Sequence, residues 1–222
     1  MPVCIMGKKT LFIAIEGLDG SGKSSVARRL ADILDDPNKG EIVQLTYEPH
    51  DPSCAGTFIR QVLTKEIKTF TPRVLALAFA ANRLDHCDRE IIPWLEGGKN
   101  RVVISDRYYL SSLVYQSSDD FPYASVLALN EKAKKPDIIF FIDVSPEVCY
   151  QRMKIRNQPE ELFEKNLSES RKKYHEALSF LRTHNLDNIV EIDGSGSIIE
   201  VTDAILQKIY AFEPAWKPKQ PN

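Results

Sequence analysis

The chain has 222 residues, 43% of them hydrophobic, which is enough to bury the core of one α/β domain. Its 29 basic residues nearly balance its 31 acidic residues, so no overall positive field favours nucleic acid or an anionic membrane as a partner. No apolar run is long enough to span a membrane, and residues 1–7 are too short to form a signal-peptide core. The 4 cysteines are scattered without a C-x-x-C pair, which disfavours a zinc site or a disulfide framework. We therefore expect a cytoplasmic protein.

Short apolar runs alternate with longer helical patterns along the chain. The runs typical of buried strands lie at 11–15, 42–45, 102–104, 138–142 and 189–192. The patterns between them predict helices at 23–35, 56–65, 72–95, 110–117, 123–133, 146–156, 160–184 and 197–211. This alternation predicts an α/β fold with a five-stranded parallel sheet and helices on both faces. Ligands of such sheets bind beyond the carboxyl ends of the strands.

A phosphate-binding loop follows the first predicted strand directly. Residues 17–24 read G-L-D-G-S-G-K-S and match the pattern G-x-x-x-x-G-K-[ST] at every fixed position. The glycines let backbone N–H groups wrap a phosphate chain, and Lys23 supplies a positive charge to the β- and γ-phosphates. Ser24 offers a hydroxyl to Mg²⁺, and the helix that begins there points its positive dipole end at the anion. A Gly-rich turn with a solvated lysine is the weaker interpretation, so a mononucleotide triphosphate is the first expected ligand.

A carboxylate and a guanidinium follow the third predicted strand. Asp106 and Arg107 stand side by side at its carboxyl end, where the first can hold Mg²⁺ and the second a phosphate. A local ion pair in a loop is the alternative for these two residues. The nearby phosphate loop favours the functional interpretation.

Two helical groups carry weaker signals. Phe79 and Arg83 lie four residues apart, on one helical face, where a flat ring can stack on one and accept a hydrogen bond from the other. An aromatic side chain in this spacing more often belongs to a core. The cations at 152, 154 and 156 either close over a triphosphate or form a solvated helix face.

These motifs together resemble the thymidylate kinase family, a family of P-loop nucleoside monophosphate kinases. The resemblance covers about residues 10–210, and its ordered motifs are residues 12–24, Glu48-Pro49, Phe79-Ala80-Ala81-Asn82-Arg83, Asp106-Arg107-Tyr108, Ser111-Ser112, Tyr115-Gln116, Lys135-Pro136-Asp137 and residues 143–148. It implies the P-loop NTPase fold and transfer of the γ-phosphate of ATP to dTMP, with Mg²⁺, in dTTP biosynthesis.

The same resemblance implies a domain organisation. The kinase-like domain is expected at 10–211, with a short mobile lid at about 152–165 and an N-terminal extension at 1–9. The tail at 212–222 is rich in proline and lacks periodicity, so we expect it to be disordered.

The phosphate-loop motif and the family resemblance together predict roles for individual residues. The residues expected to bind ATP are Gly17, Leu18, Asp19, Gly20, Ser21, Gly22, Lys23, Ser24 and Ser25. Those expected to bind dTMP are Asp19, Glu48, Pro49, Arg60, Phe79, Arg83, Arg107, Ser111, Ser112, Tyr115 and Gln116. The expected catalytic residues are Lys23, Asp106, Arg107, Arg152 and Arg156, and the expected metal ligands are Ser24 and Asp106.

Within the dTMP set the resemblance distinguishes the parts of the nucleotide. Phe79 is expected to stack on thymine, and Arg83 to bond its O4, with Ser112 and Gln116 as further base contacts. Tyr115 is expected under the deoxyribose, where a 2′-hydroxyl would crowd it. Asp19 is expected to hold the 3′-hydroxyl. Arg107 and Arg60 are expected to bind the acceptor phosphate. Asp106 and Glu48 are expected near the reacting phosphates.

Members of the family take a catalytic arginine either from the phosphate loop or from the lid. Gly20 occupies the loop position, so Arg152 and Arg156 are expected to supply that charge. The chain departs from the bacterial pattern at Tyr47, at His50-Asp51 and at Leu162.

Other functions stay open at this point. They are a kinase for another nucleotide or a deoxynucleoside, and a nucleotide-binding sensor or scaffold that has lost turnover. A P-loop ATPase acting on nucleic acid is disfavoured by the net charge of -2 and the lack of a basic stripe. The family also implies a homodimer formed through helices that flank the acceptor site.

Overall fold

A parallel five-stranded sheet forms the centre of the protein. The computed structural model describes residues 10–35, 42–50, 54–156, 166–184 and 187–216. The strands are β1 (Thr10–Gly17), β2 (Ile42–Tyr47), β3 (Arg101–Asp106), β4 (Ile138–Asp143) and β5 (Ile189–Asp193). They lie in the order β2-β3-β1-β4-β5, and each neighbouring pair is parallel. The predicted α/β fold with five parallel strands is confirmed.

Helices connect the strands and cover the sheet. They are α1 (Lys23–Leu34), α2 (Cys54–Leu63), α3 (Pro72–His86), α4 (Ile92–Glu96), α5 (Tyr109–Gln116), α6 (Tyr123–Leu129), α7 (Pro146–Arg156), α8 (Leu167–Thr183) and α9 (Ile198–Phe212). The crossover after β1 runs towards β2, whereas the later crossovers run the other way, which places helices on both faces. Within the described ranges, no helix combines the length and apolar character needed to cross a membrane.

The sheet places three loops at one edge. All residues of β1 after Thr10 are buried, as expected for a central strand covered on both faces. Asp106, at the end of β3, is in register with Ile15 on one side and Tyr47 on the other. The loops after β1, β2 and β3 therefore meet beyond the carboxyl ends of the strands, where ligands of such sheets bind.

The helix predicted at 72–95 is not a single α-helix. α3 leads into a π-helix at Cys87–Ile91, and α4 follows with Pro93 in its first turn. Proline lacks an N–H donor and its ring clashes with the carbonyl four residues earlier, so the wider π-turn before it relieves the conflict. The α3 start was predicted correctly, because Thr71 caps it by accepting a hydrogen bond from the N–H of Val74 at 3.4 Å.

Two other predicted helices differ at one end. The helix predicted at 123–133 ends at Leu129, because Asn130 turns its side chain towards Arg83 and towards the backbone carbonyl of Val126. The helix predicted at 160–184 begins at Leu167, where Asn166 is the N-cap; residues 160–165 lie outside the described residues.

The folded part of the chain extends beyond the predicted domain end at 211. α9 continues to Phe212, a 3₁₀ helix follows at Pro214–Trp216, and Trp216 is only 4% exposed. The prediction of disorder is wrong for residues 212–216, because burial of the indole ring holds this segment on the domain. Residues 1–9 and 217–222 lie outside the described residues.

Candidate active site

The phosphate loop has the backbone conformation that its glycines predict. Gly20 and Gly22 have φ values of 82° and 96°, a region that side chains disfavour. The Nζ of Lys23 donates to the carbonyl of Leu18 at 2.7 Å and lies 3.9 Å from Asp19 Oδ1. Burial lowers the pKa of Lys23, and the neighbouring charge of Arg107 lowers it further. Lys23 is thus a buried cation at the mouth of the loop.

A cavity runs from this loop to the ends of β2 and β3. The residues expected to bind ATP that line it are Asp19, Gly20, Gly22, Lys23 and Ser24. Leu18 and Ser21 are buried and Ser25 is exposed, and none of the three lines this cavity. Gly17 ends β1 and is buried.

Ser24 and Asp106 meet at this cavity. The hydroxyl of Ser24 donates to Asp106 Oδ2 at 2.5 Å, although the two residues are 82 positions apart. The other carboxylate oxygen, Oδ1, is buried and has no hydrogen-bond partner among the described residues. A hydroxyl and a carboxylate with a spare oxygen are a donor set that suits Mg²⁺.

Arg107 lines both cavities. Its backbone is in the left-handed region, with φ of 70°. One guanidinium nitrogen pairs with Asp19 Oδ1 at 2.5 Å, and the other donates to the hydroxyls of Ser111 at 2.9 Å and Tyr174 at 3.1 Å. Burial is the largest single influence and opposes its charge, but Asp19, Tyr174, Tyr115 and Glu16 together outweigh burial and raise the pKa of Arg107 well above its ordinary value. The alternative prediction, a local ion pair between Arg107 and Asp106, is wrong, because Arg107 pairs with Asp19.

A second cavity adjoins the first. It is lined by all the residues expected to bind dTMP, which are Asp19, Glu48, Pro49, Arg60, Phe79, Arg83, Arg107, Ser111, Ser112, Tyr115 and Gln116. Leu63 and Tyr108 also line it and were not predicted. The sequence offered a signal for Tyr108, because it stands directly after Arg107 in the quoted motif.

Phe79 serves the cavity and a small core at once. It packs against a cluster of buried side chains from α2 and α3, including Ile59 and Leu75, while it also lines the cavity. The core interpretation and the binding interpretation are therefore compatible for this ring. Burial raises the pKa of Tyr115, which also lines the cavity, to about 12, so its phenol stays neutral near pH 7.

Arg83 is a buried cation whose Nε and Nη1 are both hydrogen-bonded. Its Nε donates to Glu48 Oε2 at 2.6 Å, and its Nη1 donates to Ser112 Oγ at 3.1 Å and to Asn130 Oδ1 at 2.5 Å. The side chain is 1% exposed and still lines the second cavity. Asn130 carries no sequence signal, because it stands at the end of a helix far along the chain.

His50, where the chain differs from the bacterial pattern, belongs to a polar network that includes Glu48. The rings of His50 and His86 stack at 4.0 Å between centroids, and His50 Nε2 lies 2.7 Å from Glu90 Oε1. His86 lies 2.8 Å from Thr46 Oγ1 and 3.4 Å from Glu48 Oε1. Because imidazole lone pairs lie in the ring plane, parallel stacked rings do not aim at one metal ion in this arrangement. The network braces Glu48.

Asn82 explains part of the motif in which it stands. Its Oδ1 accepts from the backbone N–H of His50 at 2.8 Å, and its Nδ2 donates to the carbonyl of His50 at 2.9 Å. This double hydrogen bond ties the loop after β2 to α3. The sequence analysis quoted Asn82 within the motif but assigned it no role.

The structure explains why the phosphate loop carries no arginine at position 20. A Cβ on Gly20 would stand 2.5 Å from the backbone oxygen of Cys149 in α7. Arg152, also in α7, donates to the carbonyls of Ser21 at 3.1 Å and Gly194 at 3.3 Å. Of the other predicted lid-region charges, Lys154 is exposed, while the side chain of Arg156 and residues 157–165 lie outside the described residues.

Comparisons with known proteins agree with this geometry. The family model "Thymidylate kinase" matches residues 15–205. The chain is 41% identical to a probable thymidylate kinase of Staphylothermus marinus over 144 residues, 64% of this chain and 68% of the relative. It is 34% identical to one of Caldivirga maquilingensis over 199 residues, 90% of this chain and 93% of the relative. A probable thymidylate kinase of Thermococcus kodakarensis is 39% identical over 69% of this chain and 78% of its own length. The chain therefore belongs to the thymidylate kinase family.

Proposed function

We propose that this protein transfers the γ-phosphate of ATP to dTMP, giving ADP and dTDP. The observation that carries the proposal is that the two cavities share three residues, Asp19, Glu48 and Arg107. A donor on the phosphate loop and an acceptor in the second cavity would then meet at these shared residues. Phosphoryl transfer needs such in-line placement more than it needs covalent chemistry by the protein.

The donor side is assigned to residues 17–25. Backbone N–H groups of the loop bind the phosphates, and Lys23 neutralises charge on the β- and γ-phosphates. Ser24 and Asp106 are proposed to hold Mg²⁺, since the spare buried oxygen of Asp106 fits a cation ligand. When bound, the ion would neutralise phosphate charge.

The acceptor side is assigned to the second cavity. Phe79 stacks on thymine, Arg83 bonds its O4 with Ser112 and Gln116 as neighbours, and Tyr115 lies under the sugar. The remaining assignments are Asp19 at the 3′-hydroxyl, Arg107 and Arg60 at the monophosphate, and Glu48 with Pro49 and Ser111 in the adjoining wall.

Positive charge around the transferred group completes the mechanism. Lys23 and Arg107 supply it from the described part of the site. Arg152 already contacts the phosphate loop, because it donates a hydrogen bond to the carbonyl of Ser21. Arg156 is proposed as a second lid-region cation. A nucleotide phosphate is already ionised near neutral pH, so no strong general base is needed and Asp106 organises metal and water.

An acceptor panel tests the proposed substrate. ADP release with ATP and Mg²⁺ is measured for dTMP, dUMP, dCMP, dGMP, ribo-TMP, thymidine and no acceptor. We expect dTMP to give the highest kcat/KM. If turnover is highest with another nucleotide, that nucleotide and not dTMP is the substrate. If the protein binds ATP but shows no acceptor-dependent turnover, it is a nucleotide sensor and not a kinase.

The Phe79→Ala variant tests the base site in the same assay. Loss of a base-stacking ring, worth about 1–3 kcal/mol, is expected to raise KM for dTMP about five- to hundredfold. Phe58→Ala is the matched control, because Phe58 packs against the same small core without lining the cavity. An equal rise of KM for dTMP in both variants would show that Phe79 contributes only to packing of the small core.

We also propose that the protein is a homodimer. α3 presents an exposed apolar row formed by Val74, Leu77 and Leu84, which are 48%, 54% and 38% exposed. Leu77→Glu is expected to convert dimers to monomers in analytical ultracentrifugation. Ile199→Glu is the control, because Ile199 is 53% exposed on α9, outside this row. A wild-type protein that sediments as a monomer would contradict the proposal.

We propose that the reaction takes place in the cytoplasm with small-molecule partners only. The sequence supports this through its nearly balanced charge and its scattered cysteines.

A further inference from the structure

Glu16 is a fully buried carboxylate that the mechanism above does not use. It stands in β1, one residue before the phosphate loop, and its exposed fraction is 0%. The motif pattern assigns no chemistry to this position. An ionisable group in the centre of a sheet needs hydrogen-bond partners to offset its lost hydration, so its partners indicate its role.

The carboxylate of Glu16 accepts hydrogen bonds from three residues, Tyr108 and Ser111 at the start of α5 and Tyr174 in α8. Oε1 accepts from the backbone N–H groups of Tyr108 at 2.8 Å and Ser111 at 3.1 Å. Oε2 accepts from the hydroxyls of Ser111 at 2.6 Å and Tyr174 at 3.3 Å. Burial raises the pKa of Glu16, while the charge of Arg107 and the hydrogen bonds from Ser111 and Tyr108 work in the opposite direction.

The two backbone contacts replace a missing helix cap. Tyr108 is the N-cap residue of α5 and makes no side-chain capping bond of its own. Glu16 Oε1 accepts from N–H groups at this helix start, which is the task that a capping side chain normally performs. α5 carries four residues that line the acceptor cavity, namely Ser111, Ser112, Tyr115 and Gln116.

The side-chain contacts link Glu16 to Arg107 through a hydroxyl. Arg107 Nη1 donates to Ser111 Oγ at 2.9 Å, and Ser111 Oγ donates onward to Glu16 Oε2 at 2.6 Å. The direction of this relay depends on an acceptor at its end. An amide N–H₂ in place of Oε2 would present a donor to Ser111 Oγ, which already accepts from Arg107.

We propose that Glu16 is a positioning residue for the transfer, holding Arg107 and the start of α5 in register with the phosphate loop. This rests on the role of Arg107 at the acceptor phosphate proposed above. The carboxylate lines neither cavity, so it acts through Ser111 and Arg107. Its covalent link to Gly17 makes the donor loop and the acceptor wall parts of one rigid unit.

The test is the kinetics of Glu16→Gln at a temperature well below its melting point. We expect KM for dTMP to rise about ten- to hundredfold, the range for losing a hydrogen bond to a charged group. KM for ATP is expected to change less than about threefold, because the phosphate loop keeps its own contacts. A purely structural role would lower the melting temperature and leave the ratio of the two KM values unchanged.

Asp137→Asn is the matched control. Asp137 Oδ2 accepts from the backbone N–H of Phe12 at 2.7 Å, so the same carboxylate-to-amide change is made at the other end of β1. This variant is expected to keep both KM values.

A double-mutant cycle tests the route of the effect. If Glu16 acts through Ser111, the Glu16→Gln and Ser111→Ala effects on KM for dTMP are strongly non-additive. Additive effects, or equal changes in the two KM values of Glu16→Gln, would overturn the proposal. Arg107→Ala in the same series separates the two hypotheses: an unchanged KM for dTMP in that variant would overturn the role of Arg107 itself.

Discussion

Replacing Lys23 by alanine is expected to lower kcat by about 10²–10³-fold or more, the usual cost of removing one charge that stabilises a transferred phosphoryl group. Lys23 is 6% exposed, so its charge acts in a site with little water to screen it. The variant also leaves Asp19 and Asp106 with less positive charge nearby, which opposes the binding of a triphosphate.

The measurement is steady-state formation of dTDP at saturating ATP and dTMP, which gives kcat directly. Lys172→Ala is the control, since Lys172 is 78% exposed and forms a surface ion pair with Glu176 at 3.7 Å within α8. A folded Lys23→Ala protein with near-wild-type turnover would rule out the phosphate loop as the donor site. A protein that melts early would be retested as Lys23→Met, which keeps the length of the side chain.

Replacing Arg107 by alanine is the second large expected effect. We expect kcat/KM for dTMP to fall by about 10²–10³-fold, because the guanidinium is proposed to bind the acceptor phosphate and to stabilise the transition state. Arg107→Lys is expected to recover only part of this loss. A lysine keeps the charge but lacks the planar fork that bonds Asp19 and the hydroxyls of Ser111 and Tyr174 at once.

Steady-state kinetics with varied dTMP and varied ATP separate the two substrates for these variants. Arg89→Ala is the control, because Arg89 is 53% exposed and pairs with Asp85 on the helix surface. A loss confined to KM for ATP would move Arg107 to the donor side. Full activity in Arg107→Lys would show that charge alone, and not fork geometry, is required.

The strands and the phosphate loop were predictable because their signals are local. A buried parallel strand reads as a short apolar run, as in β1 and β4, and the phosphate loop needs glycines whose φ values only a few residues adopt. The acceptor residues were predictable by a different route, since the motifs around Phe79 and Tyr115 resemble those of a known family. Residue spacing alone left Phe79 undecided between core and site.

The sequence by itself determined the fold class and the phosphate loop, and its resemblance to a known family predicted most of the residues that line the second cavity. Only the tertiary structure decided which charges compensate each other: Arg83 with Glu48 and Arg107 with Asp19. It also decided that Glu16 caps α5. These pairings join residues 35, 88 and 92 positions apart, and no local pattern encodes them. They arise because burial obliges each charge to find a partner, and the order of the strands determines which partner lies within reach.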